Sequence, residues 1–139
     1  MASEIITSPS IELRQVSLRR HTLVGSWSIG WMLKNTGAQS FKITSVRLPH
    51  GQFKSTQQQF KPSVELPPGG VAEFQTRVHC DEPPGLVTEN AFLILNVNRL
   101  DEEWRIFARV RVVVNPQGEP ESATELVTTQ KVGFSGVQN

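Results

Sequence analysis

The amino-acid sequence predicts an all-β antiparallel sandwich of about seven strands. Three observations carry that expectation. Apolar residues recur at period two through most of the chain, Pro/Gly-rich turns separate the alternating runs, and no segment of useful length holds an apolar stripe at helical spacing.

The bulk numbers suit such a fold. A chain of 139 residues fits one domain and can bury a core without a metal or disulfide. Hydrophobic residues make up 37% and charged residues 19%, an ordinary balance for a folded domain. The formal net charge is +1, so no global field draws in nucleic acid, and none is expected as a partner. The single cysteine, Cys80, rules out an intramolecular disulfide. The opening residues show no basic segment followed by an apolar one. No apolar run approaches the roughly 20 residues of a membrane-spanning helix. The expectation is a cytoplasmic protein without a membrane span.

Taken in order, residues 1–10 are an N-terminal segment. Ile11 to Leu18 alternates at Ile11 and Leu13, then shifts phase to Val16 and Leu18, which predicts a strand with a β-bulge. Across Leu23, Trp27, Ile29, Trp31 and Leu33 the large apolar residues share one phase, with Gly and Ser between them. Two glycines and two serines within seven residues oppose a helix, and Asn35-Thr36-Gly37 closes the run as a turn. Phe41 to Leu48 is a second strand with a phase slip, from Phe41 and Ile43 to Val46 and Leu48. The polar stretch between Phe53 and Phe60 predicts a loop or an edge strand, and Val64 and Leu66 a short strand ended by Pro67-Pro68-Gly69-Gly70.

Val71 to Cys80 alternates most cleanly. Ala72, Phe74, Thr76, Val78 and Cys80 take one face, and Glu73, Gln75, Arg77 and His79 the other. Ala91 to Val97 is apolar on both faces, as a central strand would be, and Asn98 to Glu102 reads as a hairpin loop. Trp104, Ile106, Ala108, Val110 and Val112 then point inward, and Arg105, Phe107, Arg109 and Arg111 outward. The sandwich thus spans residues 11–114. Residues 115–139 read as a polar C-terminal tail, extended or partly ordered. Ser122 to Glu125 matches a capping box, but Val127-Thr128-Thr129 leaves room for a short helix at best.

Several of these features together resemble a known group. The residues Trp31 to Gly37, Phe41-Lys42-Ile43, Val46, Phe53, Leu66-Pro67-Pro68-Gly69-Gly70, Ala72-Glu73-Phe74, Gly85 and Ile94 form a pattern similar to Hydin-type (ASH) domains and the wider major-sperm-protein/PapD-like group of immunoglobulin folds. The pattern covers roughly residues 23–97. It implies an immunoglobulin-like sandwich that binds or scaffolds other proteins. It carries over no catalytic or ligand residue.

Residue constellations favour the same class. Trp27, Trp31 and Trp104 sit on apolar phases and are expected in the core rather than on a glycan platform. His79 and Cys80, as strand neighbours, point to opposite faces, and His50 is the remaining possible partner, so no metal site is expected. Cys80 lies on an inward phase and reads as a buried thiol. No P-loop, dinucleotide fingerprint or Gly-x-Ser-x-Gly motif occurs, and Asp101, Glu102 and Glu103 fall in a hairpin tip. Neither cofactor nor enzymatic activity is expected.

Arg105, Arg109 and Arg111, with Phe107 among them and Arg77 and His79 expected on a neighbouring strand, compose either a solvated face paired with Glu73 and other acids or a partner-binding face. Val132 and Phe134 mark the tail as a candidate docking peptide. The expected function is a non-catalytic protein-interaction, scaffold or accessory module. The alternative is a ligand-binding sandwich for a glycan or an anionic ligand.

Overall fold

A computed structural model describes residues 8–49 and 51–132. Eight strands and no helix make up these residues: β1 (Ile11–Arg20), β2 (Ser26–Asn35), β3 (Phe41–Leu48), β4 (Ser55–Leu66), β5 (Val71–His79), β6 (Val87–Arg99), β7 (Glu102–Val114) and β8 (Pro120–Lys131). They form two antiparallel sheets packed as a sandwich, one ordered β1-β2-β5 and the other β4-β3-β6-β7-β8. The chain crosses between sheets after β2, β4 and β5.

The two predicted phase shifts are bulges in the ladders. Gln15 pairs with Trp31 and Ser17 with Gly30, so Val16 is the extra residue of β1. The bulge turns Val16 outward, where it is 44% exposed, against the inward position its phase suggested. It also sets the Ser17 side chain over Gly30, where a Cβ would collide with it. Glycine in the middle of β2 is a close-approach requirement at that point. In β3 the register shifts between Ile43 and Ser45 against both β4 and β6. Leu23, expected inward, is 73% exposed because β2 begins only at Ser26 and Leu23 lies in the preceding turn.

Residues 55–66, expected as a loop or edge strand followed by a short strand, form one twelve-residue edge strand, β4. Residues 60–63 fall outside its ladder to β3, and Pro62, which has no N–H to donate, sits among them. Residues 120–131, expected in the polar tail, are β8, which pairs with β7 along its whole length. Their inward positions are Ser122, Thr124, Val127 and Thr129, opposite Val112, Val110, Ala108 and Ile106. Hydroxyls replace apolar groups there because this rim of the sheet meets β1. The Ser122 hydroxyl donates to Gln15 Oε1 at 2.7 Å, and the Thr124 hydroxyl to the Leu13 carbonyl at 2.8 Å.

The core lies between the inner faces. Trp27, Ile29, Trp31 and Leu33 of β2 meet Leu93, Leu95 and Val97 of β6 and Ile106, Ala108 and Val110 of β7, each at most 2% exposed. The Trp31 ring packs edge-on to Phe53, with centroids 6.5 Å apart. Both β2 indoles find acceptors: Trp27 Nε1–H donates to the Cys80 carbonyl at 2.8 Å, and Trp31 Nε1–H to the Thr76 hydroxyl at 2.9 Å.

Asn35 ends β2 and is fully buried. Its Oδ1 accepts the Gly37 N–H at 2.9 Å, an Asx turn, while Nδ2 donates to the carbonyls of Gln39 and Leu66, both at 2.9 Å. Its main chain bonds the Pro/Gly turn after β4: Asn35 N–H donates to the Gly70 carbonyl at 2.9 Å, and Gly69 N–H to the Asn35 carbonyl at 2.8 Å. Replacing Asn35 with Ala removes three side-chain hydrogen bonds and strands buried partners, a loss of about 2–4 kcal/mol. The expected readout is a lower urea midpoint at unchanged slope. Asn35→Asp costs at least as much, because a carboxylate cannot donate to either carbonyl.

A second polar cluster closes the β6–β7 hairpin. Glu102 accepts from Trp104 Nε1–H at 3.0 Å, from Lys131 Nζ at 3.2 Å and from Arg99, which is only 4% exposed, at 3.4 Å. The hydrogen bond from Trp104, then that from Lys131, holds the Glu102 carboxyl below the usual carboxylate range. A depressed carboxylate stabilises the fold above its unfolded value, near ~4.3, and stops doing so as pH falls through its lower folded value. Urea melts of wild type and Glu102→Gln should therefore differ at neutral pH and converge as the medium is acidified below ~4.

Candidate functional site

The predicted arginine row lies on the outward face of the five-stranded sheet. Strand β7 alternates without interruption, so Trp104, Ile106, Ala108, Val110 and Val112 fill the core while Arg105, Phe107, Arg109 and Arg111 stay half-buried outside. Cross-strand pairing extends each residue into a row. Arg105 lies between Asn96 of β6 and Gln130 of β8. Phe107 lies between Ile94 and Thr128, and Ile94 pairs on its far side with Arg47 of β3. Arg109 lies between Phe92 and Leu126.

The centre of this face is therefore apolar and its surroundings are guanidinium groups. Ile94 is 5% exposed yet stands apart from the core cluster, flanked by Arg47 and Phe107. The aliphatic stems of arginine cover such surface while the charged heads reach water. Two carboxylates meet the arginines at long range: Glu125 lies 3.8 Å from Arg109 Nε and Glu89 lies 3.7 Å from Arg111 Nε. Arg47 and Arg105 have no carboxylate partner among the described residues. The Nε atoms of Arg47, Arg105 and Arg109 are buried and make no hydrogen bond.

The other expected members of the site fall elsewhere. Arg77 and His79 were expected on a strand next to β7, but they lie on β5, which pairs with β2 in the opposite sheet. The turn from Leu66 to Val71 carries the chain across the sandwich, so outward residues of β5 and β7 face away from each other. Glu73 likewise pairs with Met32 and does not meet the arginines of β7. Val132 follows β8 and donates its N–H to the Glu103 carbonyl at 2.8 Å, continuing the sheet edge. Phe134 and His50 lie outside the described residues.

Sequence reasoning missed Arg47, Phe92, Ile94 and Leu126. The outward phase of Arg47 is readable, since Val46 and Leu48 point inward. That β3 lies two strands from β7 is not readable from phase. Phe92 and Ile94 were hidden because β6 is apolar on both faces.

Trp27, Trp31 and Trp104 are at most 8% exposed, so none offers a face for a sugar ring to stack on. His79 is exposed and Cys80 is 3% exposed, on opposite sides of the strand end. Among the described residues no three His, Cys, Asp or Glu side chains gather as metal ligands, and no helix is long and apolar enough to cross a membrane. No protein-family model matches the chain, and a search of curated proteins found no match.

Burial, and then the charges of Glu82 and Asp81, push the Cys80 thiol up to about 11. A neutral, buried thiol is a poor nucleophile. The native protein at pH 8 should resist a thiol-reactive disulfide reagent and release one equivalent of signal only in denaturant. Rapid stoichiometric reaction of the native protein would contradict this placement of Cys80.

Proposed function

We propose that the chain is a non-catalytic protein-interaction module, and that its contact surface is the outward face built by β3, β6, β7 and β8. The observation that carries this is the apolar centre of Phe92, Ile94 and Phe107 ringed by Arg47, Arg105, Arg109 and Arg111. Protein interfaces are enriched in arginine and aromatic residues, and their strongest contacts are those groups when fully desolvated. The partner is a protein surface with an apolar centre and surrounding carboxylates. Carboxylates complement guanidinium groups in charge and in two-point hydrogen-bond geometry. Arg47 and Arg105 meet no carboxylate among the described residues, so their guanidinium groups are available to such a partner. The resemblance to Hydin-type and major-sperm-protein/PapD-like domains supports the same class, since those domains bind or scaffold proteins.

A scaffold or accessory role in a larger assembly follows from this reading. The test is affinity capture from the native cell with the wild-type chain, Phe107→Ala, Arg105→Glu/Arg109→Glu and, as a control on the other sheet, Gln75→Glu. The expected result is a stoichiometric partner, captured by wild type and the control but lost from the two face variants, with light scattering giving the mass of a complex. Partner binding that survives Arg105→Glu/Arg109→Glu, or a wild-type chain that remains monomeric and captures nothing, would overturn the proposal.

A further inference from the structure

A second basic feature lies at the edge of the sandwich, where β4 of the five-stranded sheet and β5 of the three-stranded sheet part. The Lys54 N–H donates to the His79 carbonyl at 3.2 Å and the His79 N–H to the Lys54 carbonyl at 2.8 Å, an isolated bridge that ties the two sheets at one point. Beside that tie is a groove of about 400 Å³ lined by Ser26, Lys54, Ser55, Thr56, Arg77 and His79, with buried Val78 as its apolar part. Three of these side chains are basic and three carry hydroxyls. None carries a carboxylate.

We propose that this groove binds a phosphate group, with Lys54 and Arg77 supplying the charge and the Ser55 hydroxyl a directed hydrogen-bond donor. The site stands independently of the arginine face, with which it shares no residue. Three observations support it. Lys54, Arg77 and His79 form no ion pair among the described residues. Ser55 Oγ is buried beside them without a protein hydrogen-bond partner, which leaves it open to a ligand or water oxygen. The Lys54–His79 bridge fixes the backbone of Lys54, and the β2–β5 ladder that of Arg77, so the site is partly organised before binding. A tetrahedral oxyanion uses several hydroxyl donors and a two-point guanidinium contact at once, which a planar carboxylate does less completely.

The phosphate has two possible sources. It is either a free or solution-borne phosphate, or the headgroup of a lipid. Leu23 and Val24, 73% and 78% exposed, lie in the turn just before Ser26 of the groove, and such a pair suits contact with a lipid surface.

The test is a titration of the isotope-labelled full chain with inorganic phosphate, followed through amide resonances. Saturable shifts should cluster at Ser26, Lys54, Ser55, Thr56, Arg77 and His79. Arg77→Gln should weaken binding about tenfold and Ser55→Ala by about threefold, with amide spectra otherwise native. Arg109→Gln should leave the titration unchanged. Absence of saturable shifts, shifts centred on Arg105 to Arg111, or wild-type binding by Arg77→Gln would overturn the proposal. Flotation with phosphatidylcholine vesicles, with and without phosphatidic acid, separates the sources. Capture that needs phosphatidic acid and is lost in both Arg77→Gln and Leu23→Ser/Val24→Ser identifies the lipid headgroup. Phosphate binding in solution without vesicle capture identifies the free anion. Phosphatidic-acid-dependent capture that survives Arg77→Gln counts against the groove.

Discussion

The hydrogen bonds of Asn35 tie the two sheets of the sandwich through one buried residue. A buried side-chain amide offers two donors and one strong acceptor, and here all three are used. One donor reaches Leu66 on β4, in the sheet opposite to the one Asn35 ends. The main chain of Asn35 meanwhile pairs with Gly69 and Gly70, which lead into β5. A single residue therefore fixes where β2 stops, how the chain turns toward β3, and where the chain crosses from β4 to β5. Two of the three sheet crossings lie within its reach. Apolar packing supplies the larger share of stability but is not directional. The Asn35 bonds set the relative position of the sheets, which the packing alone would leave less closely specified.

Two sheets of three and five strands cannot close on each other without seams, and the seams differ. Where β1 meets β8, the Gln15 amide spans the gap: its Nε2 donates to the Pro120 carbonyl at 3.2 Å and its Oε1 accepts from Ser122 N–H at 3.0 Å. Side chains do there what a backbone ladder would otherwise do. Where β4 meets β5, one backbone bridge and the edge-on Phe60–Phe74 pair, with centroids 5.5 Å apart, hold the sheets together. The space between those contacts and solvent is the groove. Its existence follows from the course of β4, which does not continue with β5 the pairing begun at Lys54.

Most of the fold was legible in the sequence because one face of most strands is buried, and burial imposes period two. The bulges at Val16 and in β3 announced themselves as phase shifts, and the tryptophans lie where their phase placed them. β8 was not legible. Its inner positions are Ser122, Thr124, Val127 and Thr129, of which Ser122 and Thr124 hydrogen-bond β1, so the strand shows no clean apolar alternation. The arginine row of β7 was readable as a row for the same reason as the core. Its companions were not, since phase says which face a residue takes and nothing about which strands lie side by side. Arg77 illustrates the point: its outward orientation was readable, but its assignment to the same face as Arg109 was not, because that rests on a crossing.

A net charge of +1 conceals a strong segregation of charge. Acids concentrate in turns and strand ends, such as Asp81, Glu82, Asp101, Glu102, Glu103, Glu119 and Glu121. Arginines occupy the middle of an outward sheet face, where only Glu89 and Glu125 approach them, both beyond hydrogen-bond distance. An ion pair that compensates an arginine for stability works best at close range, and weak exposed pairs contribute little. Stability alone therefore does not account for four arginines around Phe92, Ile94 and Phe107. The same four groups are well suited to an external carboxylate-bearing surface, because they keep donors unspent and already shelter the apolar centre such a surface would cover. The choice of arginine is what favours the proposed reading of this face as a contact surface.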